Sequence, residues 1–74
     1  MLQTGTFDAE QRARAALASS PIFAIRDIRV DQSGTGHLVL TGRVDSFYHK
    51  QVAQEVVRAV VRGQQIVNSI DVVD

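Results

Sequence analysis

A chain of 74 residues with 45% hydrophobic and 22% charged side chains has the composition of one small folded domain, neither a disordered chain nor a membrane-spanning one. Eight basic and eight acidic residues cancel, so no global field steers the chain toward nucleic acid or an anionic bilayer, and any attraction to lipid has to be local. With no cysteine present, disulfide frameworks and cysteine zinc sites are excluded.

Residues 1–7 read as a flexible N-terminus preceding a single domain over 8–74. The opening "MLQTGTFDAEQ" lacks the basic segment and apolar run of a secretory signal, and nowhere do about eighteen apolar residues follow one another. The chain as given is expected neither to export itself nor to span a membrane, and it can equally be a piece of a longer polypeptide. Asp8 is placed as a helix N-cap, with Gln11 completing an acidic variant of the capping box. Ala9, Ala13, Ala16 and Leu17 then share one side at helical spacing while Glu10, Arg12 and Arg14 point elsewhere. Ser19, Ser20 and Pro21 end this helix, because a residue before proline is pushed out of the α region.

After a connection through Ile22 and Phe23, "DIRVDQ" alternates, with Ile28 and Val30 on one face. The turn Ser33 to Gly36 joins it to a second strand carrying Leu38, Leu40 and Val44, so the two form a hairpin. Gly42 lies on the apolar side of that strand and marks a bulge or a close approach, read together with Ala53 as a strand and a helix touching. Ser46 is a second N-cap. Beyond it the period lengthens to 3.6, with Val52, Ala53, Val56, Ala59 and Val60 on one side and Gln51, Gln54, Glu55, Arg58 and Arg62 on the other. Gly63 is positioned as the C-terminal cap of this helix. "QIVNSIDVV" then resumes alternation, with Ile66, Ile70 and Val72 inward.

A strand, a helix and a strand at this spacing imply a right-handed parallel crossover. The predicted class is therefore α+β, in the order α-β-β-α-β, with two helices packed on one face of a three-stranded mixed sheet. Leu17, Val52, Val56 and Val60 meet the sheet's apolar side, and the other face is left uncovered.

The run "IRV", then "HLVLTGRVDS", Ala53, Gly63 and "IVNSIDV" is similar to the BON domain, a small bacterial module. The resemblance extends from about Ala9 to Val72 and is carried by Gly42, Val44, Ser46, Ala53, Gly63, Asn68 and Ile70 at matching spacing. Gln64 departs from the pattern, where the family usually has an apolar residue. The resemblance implies a non-catalytic binding module of the cell envelope or periplasm, with phospholipid surfaces the usual suggestion and no cofactor.

The polar residues are consistent with that expectation. His37 and His49 are the only histidines, and no spacing supplies the further ligands of a metal site. Asp45, Ser46 and His49 superficially suggest a nucleophile and base, but a helix cap accounts for them. Asn68 points toward the covered face, where its amide is expected to satisfy backbone groups near Gly63. Two candidate binding surfaces follow. One is the open sheet face, with Arg29, Arg43 and His37 beside Val39 and Val67. The other is the polar side of the second helix, with Phe47, Lys50, Arg58 and Arg62. Anionic phospholipid is the first expected partner, and an envelope protein or a second copy of the chain, using the open sheet face, is the alternative. Exposed edge strands add a third route to association.

Overall fold

The computed structural model describes residues 6–34 and 36–73. Helix α1 spans Thr6–Ala18, a single 3-10 turn covers Phe23–Ile25, and β1 (Arg29–Gln32) and β2 (Leu38–Thr41) form the hairpin. A two-residue strand β3 (Arg43–Val44) continues β2 beyond Gly42, and α2 covers Phe47–Val60. Two further strands, β4 (Ile66–Asn68) and β5 (Asp71–Val72), complete the order. β1 pairs antiparallel with β2, and β2 pairs parallel with β4, which gives the expected mixed sheet. β3 and β5 carry the same parallel pairing onward as a short second sheet, with Arg43 opposite Asp71 and Val44 opposite Val72.

Sheet alternation places Val30, Leu38, Leu40, Val44 and Ile70 in the core, against Ala9, Ala13 and Leu17 of α1. Full burial of a leucine or isoleucine contributes about 1.5 to 3 kcal/mol. Leu17, Ile25, Leu38, Leu40 and Ile70 therefore dominate the stability of so small a core. The alanine face of α1 lets it lie close to α2. Ile25, fully enclosed although it sits in the 3-10 turn, is a core residue that periodicity could not reveal.

Four local expectations are corrected. Helix α1 already runs from Thr6, so Asp8 is no N-cap; it stands in the first turn, where its charge suits the helix dipole, and it pairs with Arg12 one turn on. The flexible segment expected at residues 1–7 is not among the four: residues 1–5 lie outside the described residues, and residues 6 and 7 are in the helix. Helix α2 is rotated from its predicted phase: Ala53 and Val57 face the core, followed by Val61 just past its end, while Val52, Val56 and Val60 are half-buried and Ala59 is exposed. Gly63 does not cap it. The helix ends at Val60, Val61 turns extended, and the Val60 carbonyl accepts from Arg12 Nε of α1 at 2.9 Å. Gly63, at φ +75°, serves the loop leading to β4.

Gly42 is the fourth. Its φ of +140° separates β2 from β3, and a Cβ there would stand 3.0 Å from Ile28 Cδ1 and 3.5 Å from Ile28 Cα. The close neighbour is the lead-in to β1, not the helix at Ala53. The break has a use: it lets the strand continue in register with β5 and deliver Ser46 to the start of α2.

Candidate functional site

Ser46, in extended conformation, ends the strand and starts α2, its Oγ accepting the His49 N–H at 3.1 Å. The His49 imidazole folds back onto the same corner, with Nδ1 3.1 Å from Ser46 Oγ and 3.1 Å from Asp45 Oδ1. A serine, histidine and carboxylate relay needs the two oxygens on opposite ring nitrogens. Here one nitrogen faces both, so the trio is a helix cap.

That cap fixes the direction of the next two residues. Phe47 is 74% exposed and Tyr48 69% exposed, two aromatic rings in the first turn of a helix, with the His49 imidazole tilted beside the Tyr48 ring at 5.5 Å between centres. Lys50 follows on the side facing β4. Its backbone carbonyl accepts from Asn68 Nδ2 at 2.9 Å, and the same amide nitrogen donates to Gln54 Oε1 at 3.1 Å. Asn68 Oδ1 accepts the Ile70 N–H at 3.2 Å. Asn68 thus ties α2 to the outer strand and does not reach the loop beside Gly63, where the sequence had suggested its partners.

The outward stripe of α2 continues through Gln51, Gln54, Glu55 and Arg58 at helical spacing, and Arg62 follows just past the helix end, beyond extended Val61. Between this stripe and the outer strand runs a groove in two parts that share Glu55. One part, of about 240 Å³, lies beside Phe47, Lys50 and Asn68. The other, of about 700 Å³, lies beside Arg58, Arg62, Gln64 and Ile66. Three cations face one carboxylate along the groove, and no ion pair engages Lys50, Arg58 or Arg62 among the described residues.

The open sheet face is arranged differently. Arg29 lies opposite Thr41, and Val39 sits between Asp31 and Val67. Arg43 is directly beside Asp71. The two arginines therefore share their face with two aspartates in strand register, and the described charges balance. His37 closes the hairpin: its N–H donates to Ser33 Oγ at 3.1 Å and its carbonyl accepts the Ser33 N–H at 2.9 Å. Val67 and Val73, 37% and 43% exposed, are the apolar part of this surface.

The structure thus groups Phe47, Lys50, Arg58 and Arg62 along one groove and leaves Arg29, Arg43, His37 and Val39 on another face. Gly42, Val44, Ser46 and Ala53 act structurally, positioning α2. Sequence reading missed Tyr48, although its place one residue after Phe47 and two after a cap was a usable signal. It also missed Phe23, 78% exposed, with the Arg26 guanidinium 5.6 Å from its ring centre; an irregular turn gives no periodic signal. No group of three or more potential metal ligands occurs among the described residues, and no described helix is long and apolar enough to cross a membrane.

Compared with known proteins, residues 6–74 match a family model described as BON domain. No curated protein matches the chain.

Proposed function

Because the chain belongs to the BON domain family, we propose that it is a non-catalytic binding module that attaches to anionic phospholipid surfaces through the outward stripe of α2. The observation that carries this reading is the pair of exposed rings, Phe47 and Tyr48, close to Lys50 and Arg58 on the same helix and Arg62 just past its end, cations that no ion pair engages among the described residues. Aromatic rings settle at the level of lipid headgroups, and each cation near an anionic surface adds roughly 1 kcal/mol. Three cations, one opposing carboxylate and two partly inserted rings amount to on the order of 5 kcal/mol, a dissociation constant around a tenth of a millimolar. Such contact is weak and reversible, suited to a module that holds a larger assembly at an envelope membrane.

Co-sedimentation with vesicles tests the reading. Phosphatidylglycerol vesicles should pull the protein down and phosphatidylcholine vesicles should not. The double variant Phe47→Ser, Tyr48→Ser should stay in the supernatant with both. Equal binding to the two lipids, or full retention by the double variant, would refute it.

The second reading is association with an envelope protein through the open sheet face, favoured by exposed Val67 and Val73. It predicts that Val67→Asp abolishes partner capture while vesicle binding is unchanged.

A further inference from the structure

Helix α2 carries an apolar strip that neither the core nor the exposed rings account for. Tyr48, Val52, Val56 and Ala59 follow one another at i, i+4, i+8 and i+11 along one side of the helix. Together with Gln51 and Glu55 they line an open trough of about 590 Å³. From Tyr48 to Ala59 the trough is about 16 Å long at the helical rise. The larger hollow at the end of the helix, with Arg58, Arg62 and Gln64 on its wall, shares Glu55 and Ala59 with it. An apolar channel therefore opens, at Ala59, into a cationic one.

The two chemistries stand in the order of the parts of a lipid. Two guanidiniums and one carboxylate line the cationic hollow, an excess of one positive charge that matches a phosphate diester and not a headgroup of higher charge. Two acceptors in the same hollow call for a donor. The Glu55 carboxylate is one. Gln64 is the other: its Oε1 is buried with no hydrogen-bond partner among the described residues, at a position where the family usually has an apolar residue. An apolar side chain there would leave no acceptor orphaned. The torsion that carries the amide is broad, so the oxygen can turn toward a hydroxyl entering the hollow. An ammonium headgroup, by contrast, would be set against two guanidiniums.

We propose that α2 holds one anionic lipid molecule, its alkyl chain along Tyr48, Val52, Val56 and Ala59, its phosphate diester between Arg58 and Arg62, and a headgroup hydroxyl on Gln64. The proposal rests on the assignment of lipid attachment to α2 and turns that surface contact into a stoichiometric one. Tyr48 stands at the end where the exposed rings enter the lipid, so the chain runs from the membrane toward the arginines.

Lauroyl lysophosphatidylglycerol, held below its micelle concentration, offers single lipid molecules in place of a bilayer. Calorimetric titration should give saturable one-to-one binding, and labelled protein should show shifts at Tyr48, Val52, Val56, Ala59 and the Gln64 side-chain amide. Glycerol phosphate lacks the chain, and lauroyl lysophosphatidylcholine carries an ammonium in place of the glycerol head; each should bind at least about ten-fold more weakly. Ala59 is exposed, so Ala59→Trp retains the fold while blocking the junction of the two hollows. It should lose at least about ten-fold in affinity for the single lipid yet still sediment with phosphatidylglycerol vesicles, since an indole suits the membrane interface. Gln64→Leu should narrow the preference for the glycerol head over choline. Binding that does not saturate below the micelle concentration, equal affinity for the two heads, or Ala59→Trp that binds like wild type overturns the proposal. If the vesicles still sediment the protein in that event, surface attachment stands and the single-lipid site alone falls; if they do not, the attachment to α2 has failed with it.

Discussion

Replacing Gly42 by alanine probes the feature that lets one strand serve two pairings. At φ +140° an alanine is held in a region costing about 1 to 3 kcal/mol. Its Cβ would also press on Ile28 Cδ1 at 3.0 Å, and moving that side chain off its rotamer costs about 0.5 to 1.5 kcal/mol. The smaller unfolded-state entropy of alanine returns about 0.5 to 1 kcal/mol. The net expectation is a loss of about 1.5 to 3 kcal/mol, a large part of the roughly 4 to 11 kcal/mol available to a domain of this size. Urea unfolding followed by circular dichroism reads it directly. With a slope of about 1 kcal/mol/M for a small domain, the midpoint falls by about 1.5 to 3 M. The backbone cost should dominate, since Ile28 Cδ1 is the far end of a flexible side chain. Adding Ile28→Val, which removes that atom, should therefore not restore stability. A Gly42→Ala midpoint within about 0.5 M of wild type, or full rescue by Ile28→Val, would refute the argument.

Other perturbations separate the cap, the tie and the charges. Ser46→Ala should cost about 1 kcal/mol in the same assay by removing the oxygen that accepts the His49 N–H, whereas Ser46→Asp should retain the stability. Asn68→Leu strips the side-chain bonds to Lys50, Gln54 and Ile70 and should destabilise by about 1 to 3 kcal/mol. It should also speed amide exchange at Ile70, and unchanged exchange there would show that the tie is dispensable. Vesicle binding should weaken several-fold as salt is raised from about 0.01 to 0.15 M, where the screening length falls from about 30 to 8 Å; salt-insensitive binding would point to apolar insertion alone.

The sheet was legible in the sequence because alternation between apolar and polar residues survives in strands this short, and because Ser46 separates the two periodicities. The phase of α2 was not, for a specific reason. Its apolar residues come in adjacent pairs, Val52 with Ala53, Val56 with Val57, and Val60 with Val61, which describe two overlapping stripes about 100° apart. Only the packing of α1 selects the one through Ala53 and Val57 as the core face. Long-range caps were equally hidden. Nothing near Val60 announces that Arg12, far away in the chain, holds its carbonyl, and the nearby glycine offers the only local signal of a helix stop. The cationic residues of the candidate site were recognised by type. That they divide into a balanced sheet face and an unbalanced α2 groove depends on strand register, which sets Arg43 beside Asp71.

The most direct test of the account is a set of backbone amide spectra of labelled protein titrated with lipid discs, anionic in one series and neutral in the other. With anionic discs, shifts should be confined to Phe47 through Arg62 and the facing residues near Asn68, and Arg29, Val39, Arg43 and Val67 should stay still; neutral discs should change nothing. Shifts centred on the open sheet face, or silence with anionic discs, would contradict the assignment of lipid attachment to α2.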